Sequence, residues 1–127
     1  MKFILVDAVH TLIDSNFNVD QEMFKMLESF QNQKIIVTNA GGESLERIEK
    51  LGILYPIFTL CRNPEKINSD YFRQFMMQYD CKNSDLLYFD HNILAVKAAE
   101  IVGIKSFHYE VEKRNIEEVK NFLTDNL

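Results

Sequence analysis

The sequence is poor in the features that would assign it to sulfur-bound metal, to nucleic acid or to a membrane. Its two cysteines, Cys61 and Cys81, have no CxxC spacing and no histidine ligands nearby. That excludes a zinc site and leaves pairing between them open. Basic clusters are missing as well: Lys113-Arg114 sits among Glu110, Glu112, Glu117 and Glu118, and the net charge is −5. Neither nucleic acid nor an anionic membrane is therefore an expected partner. No apolar run approaches transmembrane length, and only four apolar residues separate Lys2 from Asp7, too few for a signal-peptide core. A cytoplasmic, reducing location is expected. Repeats, low-complexity tracts and linkers are also lacking. With 127 residues, 46% apolar and 26% charged, the composition is that of one globular domain, residues 1–127, with a genuine core.

What the sequence has is alternation. KFILV (2–6), KIIV (34–37), PIFTL (56–60), DLLYF (85–89) and IKSFHY (104–109) read as strands, short, branched or aromatic, and bounded by polar residues. The first, second and fourth are nearly unbroken apolar runs, the pattern of central strands buried on both faces. Amphipathic stretches lie between and after them. Met23, Phe24, Met26, Leu27 and Phe30 follow Asp20 as a cap; Leu45, Ile48 and Leu51 follow Gly42; Tyr71, Phe72, Phe75, Met76 and Tyr79 follow Asn68 and Ser69. Residues 93–102 and the set Ile116, Val119, Phe122 and Leu123 complete the series. Gly52 and Gly103 each stand between a helix and the next apolar run, as left-handed terminators do. Strict strand–helix alternation predicts an α/β fold with a parallel sheet and right-handed crossovers.

In such a sheet, function gathers beyond the carboxyl ends of the strands. Three strands end there in polar groups: KFILV in Asp7, KIIV in Thr38-Asn39, and LLYF in Asp90. Lys66 precedes the third amphipathic helix, within reach of the same edge. One aspartate after a strand is often only a cap; two aspartates, a threonine and a lysine on one edge suit phosphoryl transfer. Paired carboxylates hold a hard cation such as Mg²⁺. A hydroxyl and an ammonium hold phosphoryl oxygens, and a carboxylate can attack phosphorus.

At these residues the sequence resembles the haloacid dehalogenase-like (HAD) superfamily. The first motif of that superfamily, D-x-D-G-T-L, is matched by Asp7-Ala8-Val9-His10-Thr11-Leu12, and the second, an apolar strand ending in Ser or Thr, by IIVTN with Thr38. Lys66-Ile67-Asn68-Ser69-Asp70-Tyr71-Phe72 resembles the third, and LLYF-Asp90-His91 the fourth. The resemblance implies a Rossmann-like three-layer α/β/α sandwich with a five-stranded sheet in the order 5-4-1-2-3. It also implies Asp7 as nucleophile, and Asp7, the Val9 carbonyl and Asp90 as Mg²⁺ ligands. Thr38, with Asn39, and Lys66 would hold the phosphoryl group. About twenty residues separate the first motif from the second strand, so no cap domain is expected, and the site would be open to a phosphorylated substrate or a protein partner.

Two departures bear on activity. Val9 stands where the motif has its acid–base aspartate, and His91 where the fourth motif has its second aspartate, which weakens the metal site. A missing general acid–base group typically costs about 10²–10⁴-fold in rate. His10, which replaces the glycine of the motif, and His91 are the candidate substitutes, since histidine titrates in the useful range; a structural or solvated role is the commoner one at strand ends, and His108 is read as structural. The expected function is a slow Mg²⁺-dependent phosphatase or phosphotransferase acting through an aspartyl-phosphate at Asp7. The alternative is a degenerate binding or regulatory protein on the same fold. Dehalogenation ranks below both, because no arginine precedes Arg47. A receiver domain is excluded, because the third strand ends in no aspartate.

Overall fold

The computed structural model describes Met1–Leu127. Five strands, β1 (Phe3–Asp7), β2 (Lys34–Thr38), β3 (Ile57–Thr59), β4 (Leu86–Asp90) and β5 (Lys105–His108), form one parallel sheet in the order β3-β2-β1-β4-β5. Counted from the other edge, this is the expected 5-4-1-2-3. Period-two alternation divides the strand side chains between two faces. Ile4, Val6, Ile36, Leu87 and Phe89 pack against α1 (Gln21–Glu28), α2 (Gly42–Glu49) and α5 (Ile116–Asn126). Leu5, Ile35, Val37 and Tyr88 pack against α3 (Asp70–Gln78) and α4 (Ile93–Ile101). The central strands β1, β2 and β4 are buried almost throughout, which is why their sequences lack polar alternation.

The helix ends follow the sequence with one exception. Asp20 caps α1, accepting from the amides of Glu22 and Met23, and Asn92 and Asn115 cap α4 and α5 in the same way. Ser69 occupies the capping position of α3, but its hydroxyl donates instead to the Ala98 carbonyl at 2.8 Å and ties α3 to α4. The Asn68 carboxamide accepts the Asp70 amide in its place. Gly103 has φ +84°, a left-handed conformation that favours glycine, and the end of the Asn83 side chain lies over the space a Cβ would take. No helix is long and apolar enough to cross a membrane.

The segment 8–19, between β1 and α1, folds back on itself through bridges of Val9 with Ile13 and of Ile13 with Val19. Leu12 and Ile13 are fully buried and anchor it, each worth about 1.5–3 kcal/mol of apolar transfer. The Arg47 guanidinium of α2 lies 3.9 Å from the centre of the Phe17 ring and holds the tip. The turn keeps His10 in the left-handed region, at φ +74°.

Candidate active site

Asp7, Thr38 and Asp90 are the last residues of β1, β2 and β4, three neighbours in the sheet, and so share its carboxyl edge. Lys66 arrives from the loop between β3 and α3. Its Nζ lies 2.5 Å from Asp7 Oδ1, 2.8 Å from Asp90 Oδ2 and 3.3 Å from the Val37 carbonyl. The lysine is held from behind by Asn39, whose Oδ1 accepts the Lys66 amide at 2.8 Å. Asn39 thus fixes the lysine loop with the oxygen expected to face substrate. Thr38 is braced from the helix layer: the Tyr71 hydroxyl receives its amide at 3.0 Å and faces the Thr38 and Phe58 carbonyls at 3.0 and 2.9 Å.

The opposite side of the carboxylate pair is formed by His91. Its Nδ1 lies 2.6 Å from Asp7 Oδ2 and 3.3 Å from Asp90 Oδ1. Asp7 Oδ2 also accepts the Thr11 hydroxyl at 2.8 Å, Asp90 Oδ1 accepts the Asn92 amide at 2.8 Å, and the Tyr88 hydroxyl donates to Asp90 Oδ2. All four carboxylate oxygens therefore have protein donors, and no buried side-chain polar atom is left without a partner. Two of these side-chain donors, and the Asn92 amide, were unassigned from sequence. Thr11 belongs to the first motif but carried no role there. Tyr88 sits two residues before Asp90 on the same strand face, a spacing that could have revealed it.

Burial alone would raise Asp7, but the Lys66 charge, helped by the His91 hydrogen bond, outweighs it and holds the carboxyl well below its usual range. Burial likewise works against a charged Lys66, and the two aspartates overcome it and raise the ammonium. The hydrogen bonds of His91 to Asp7 and Asp90 raise its imidazole to about 9. Asp7 is thus an ionised carboxylate at neutral pH without help from a base. Burial, then the Asp90 charge, pushes the Tyr88 phenol well above its ordinary value, so it remains a donor.

Asp7, Thr38 and Lys66 form the floor of an open cleft of about 320 Å³, with Val9, His10 and Arg62 among its lining residues. The His10 ring packs edge-on against His91, centroids 5.2 Å apart. Arg62 was missed by sequence reasoning, and nothing short of the fold reveals it. It follows Cys61, and both residues hold left-handed backbone, at φ +52° and +67°, conformations that cost non-glycine residues about 1–3 kcal/mol each. Its side chain is 70% exposed and pairs with Glu65 at 3.3 Å. His108, by contrast, is structural as expected: its Nε2 lies 3.0 Å from the His91 carbonyl. Cys61 and Cys81 are both free thiols.

No protein-family model matches the sequence, and no curated protein does. Solved structures do. An uncharacterized protein from Corynebacterium glutamicum superimposes with TM-score 0.72 at 18% identity, covering 98% of this chain and 96% of that one. A HAD-superfamily hydrolase from Ehrlichia chaffeensis gives 0.61 at 14% identity, covering 98% of each chain. The cobalt-bound deoxy-D-mannose-octulosonate 8-phosphate phosphatase of Haemophilus influenzae gives 0.59 at 16% identity, covering 99% of this chain and 88% of that one. The chain has the HAD-like fold.

In a HAD-like fold with this edge, the residues able to hold a cation are Asp7, Asp90 and His91, whose ligand atoms lie within 4.8 Å of one another. The Val9 carbonyl accepts no backbone hydrogen bond and is a further free oxygen. The oxygens suit a hard ion such as Mg²⁺. The imidazole does not, because nitrogen ligands favour transition metals. The donor set accordingly fits Mg²⁺ only weakly.

Proposed function

We propose that this chain is a phosphatase or phosphotransferase of the HAD-like fold, working slowly through an aspartyl-phosphate at Asp7. The observation that carries the reading is the ion pair at the carboxyl edge, where one buried ammonium, Lys66, holds both Asp7 and Asp90 beside Thr38. An Asp7 oxygen attacks phosphorus, and the bond from phosphorus to the leaving oxygen breaks, that oxygen taking up a proton. Water then attacks the phospho-aspartate, releasing inorganic phosphate and the free carboxylate. Lys66 and the Thr38 hydroxyl offset and orient the phosphoryl oxygens. Mg²⁺ at Asp7, Asp90 and the Val9 carbonyl would add charge compensation to the phosphoryl group, but with both carboxylates already paired these residues would hold it only weakly, and the reading does not depend on it. Val9 can neither protonate the leaving group nor activate water, so substrates with good leaving groups suffer least and phosphoenzyme accumulates. His10, which lines the cleft, is the candidate we take to supply a proton instead.

Between β1 and β2 there is only the segment 8–19 and α1, followed by a short connection. We read the cleft as capless and open to phosphate carried on a larger molecule or a protein partner, in a cytoplasmic setting that two free thiols suit. A second reading, a phosphate-binding or regulatory module, draws on the saturation of both Asp7 oxygens by Lys66, Thr11 and His91. Early-time turnover of p-nitrophenyl phosphate, native chain against Asp7→Asn, separates the two. A burst near one equivalent that then slows, absent in the variant, is expected. Sustained Asp7-dependent turnover would mean that another group, His10 first, replaces the missing carboxylate. No Asp7-dependent signal from folded protein would leave the binding module.

A further inference from the structure

The four oxygens of the aspartate pair divide into two couples. Lys66 Nζ takes Asp7 Oδ1 and Asp90 Oδ2, at 2.5 and 2.8 Å. Any cation bridging the same carboxylates from the cleft must use the other couple, Asp7 Oδ2 and Asp90 Oδ1. Those are the two oxygens that His91 Nδ1 already faces, at 2.6 and 3.3 Å. We propose that His91 occupies the cation position of this site, so that the chain binds a phosphate oxyanion without a divalent ion.

Steric and hydrogen-bonding restraints both support the assignment. Mg²⁺ sits about 2.0–2.1 Å from its oxygen ligands and demands near-octahedral geometry. A ring nitrogen 2.6 Å from Asp7 Oδ2 leaves no room for that ion unless the ring swings away. The ring is not free to swing without cost. Its backbone lies between Asp90, whose Oδ1 accepts the Asn92 amide at 2.8 Å, and the capped start of α4. Its carbonyl is engaged by His108 at 3.0 Å, and the ring packs against His10 with the two planes at 69°. A carboxylate oxygen can only accept, so Nδ1 carries the hydrogen of the bond to Asp7. The imidazole therefore does for the outer couple what the ammonium does for the inner one. The carboxylates lose the open, unshared oxygens on which a divalent ion depends, and the negative centre facing an incoming phosphate is reduced without one.

This deepens the phosphoryl-transfer reading, but its test does not use turnover. Mn²⁺ binding is followed by electron paramagnetic resonance for the native chain, His91→Asp and His91→Ala, with folding checked by circular dichroism. His91→Asp should bind Mn²⁺ about 10–100-fold more tightly than the native chain, the range typical of changes around a metal ligand set, and His91→Ala should also gain. Inorganic phosphate, titrated by calorimetry in EDTA and then in Mg²⁺, should bind the native chain equally in both, whereas His91→Asp should need Mg²⁺. Equal Mn²⁺ affinity in the native chain and His91→Asp, tight or absent, would overturn the assignment, because His91 would then not govern the cation position. Phosphate binding by the native chain that appears only with Mg²⁺, or that does not appear at all, would overturn it as well.

Discussion

Asp7 and Asp90 meet a cation on one side and an imidazole on the other, and the two sides are built differently. The inner side is a permanent charge delivered by a long side chain, 7% exposed, whose loop is pinned by Asn39. The outer side is a ring, 31% exposed, that belongs to the same β4–α4 turn as Asp90 and borders the cleft. The two carboxylates raise Lys66 above its ordinary value, so it is an ammonium at neutral pH. His91 titrates within reach of experiment. Structural necessity is concentrated on the lysine side, and adjustability on the histidine side.

The largest effect should come from breaking the inner side. Lys66→Met leaves two buried carboxylates without their shared ammonium, and removing one partner of a buried pair costs about 3–5 kcal/mol. Urea unfolding measures it; a loss below about 1 kcal/mol would mean that the pair contributes little. A smaller and pH-dependent effect is expected on the outer side. The fold raises His91 to about 9, so its stabilisation is complete below its ordinary value of about 6.5 and is lost as pH rises through 9. The melting-temperature gap between native protein and His91→Gln should be widest near pH 6 and close towards pH 10, read by scanning calorimetry. A gap that ignores pH would show that the ring bonds Asp7 in its neutral form throughout. The smallest effect on stability belongs to Arg62, at the lip and part of neither side. Arg62→Ala should change unfolding free energy by no more than about 0.5 kcal/mol while weakening phosphate binding about tenfold through one lost charged hydrogen bond. Unchanged phosphate affinity would place the guanidinium outside the anion's reach.

The contrast also explains what could be read from the sequence. The strands and helices were legible because unbroken runs such as LLYF and KIIV have few other uses, and the boundaries differ by a residue or two. The convergence of Asp7, Thr38, Asp90 and Lys66 followed from strand ends, while the strand order came from the resemblance. Which oxygen each donor would take was not legible. The position of His91 opposite Lys66 depends on a ring torsion, and that of Arg62 on two left-handed residues after β3. Asn39 was expected to bind substrate, yet its oxygen holds the Lys66 backbone, a contact that spans two loops and leaves no trace in either.

The inner ion pair also limits how the chain can vary. Replacing Lys66 strands two carboxylates, and replacing either aspartate leaves a buried ammonium half-compensated, so each single change passes through a less stable protein. Val9 and His91 lie outside that lock, and changing either costs the fold less. The presence of Asp7, Lys66 and Asp90 together in this chain is thus what folding alone would require, whether or not phosphorus ever reaches Asp7.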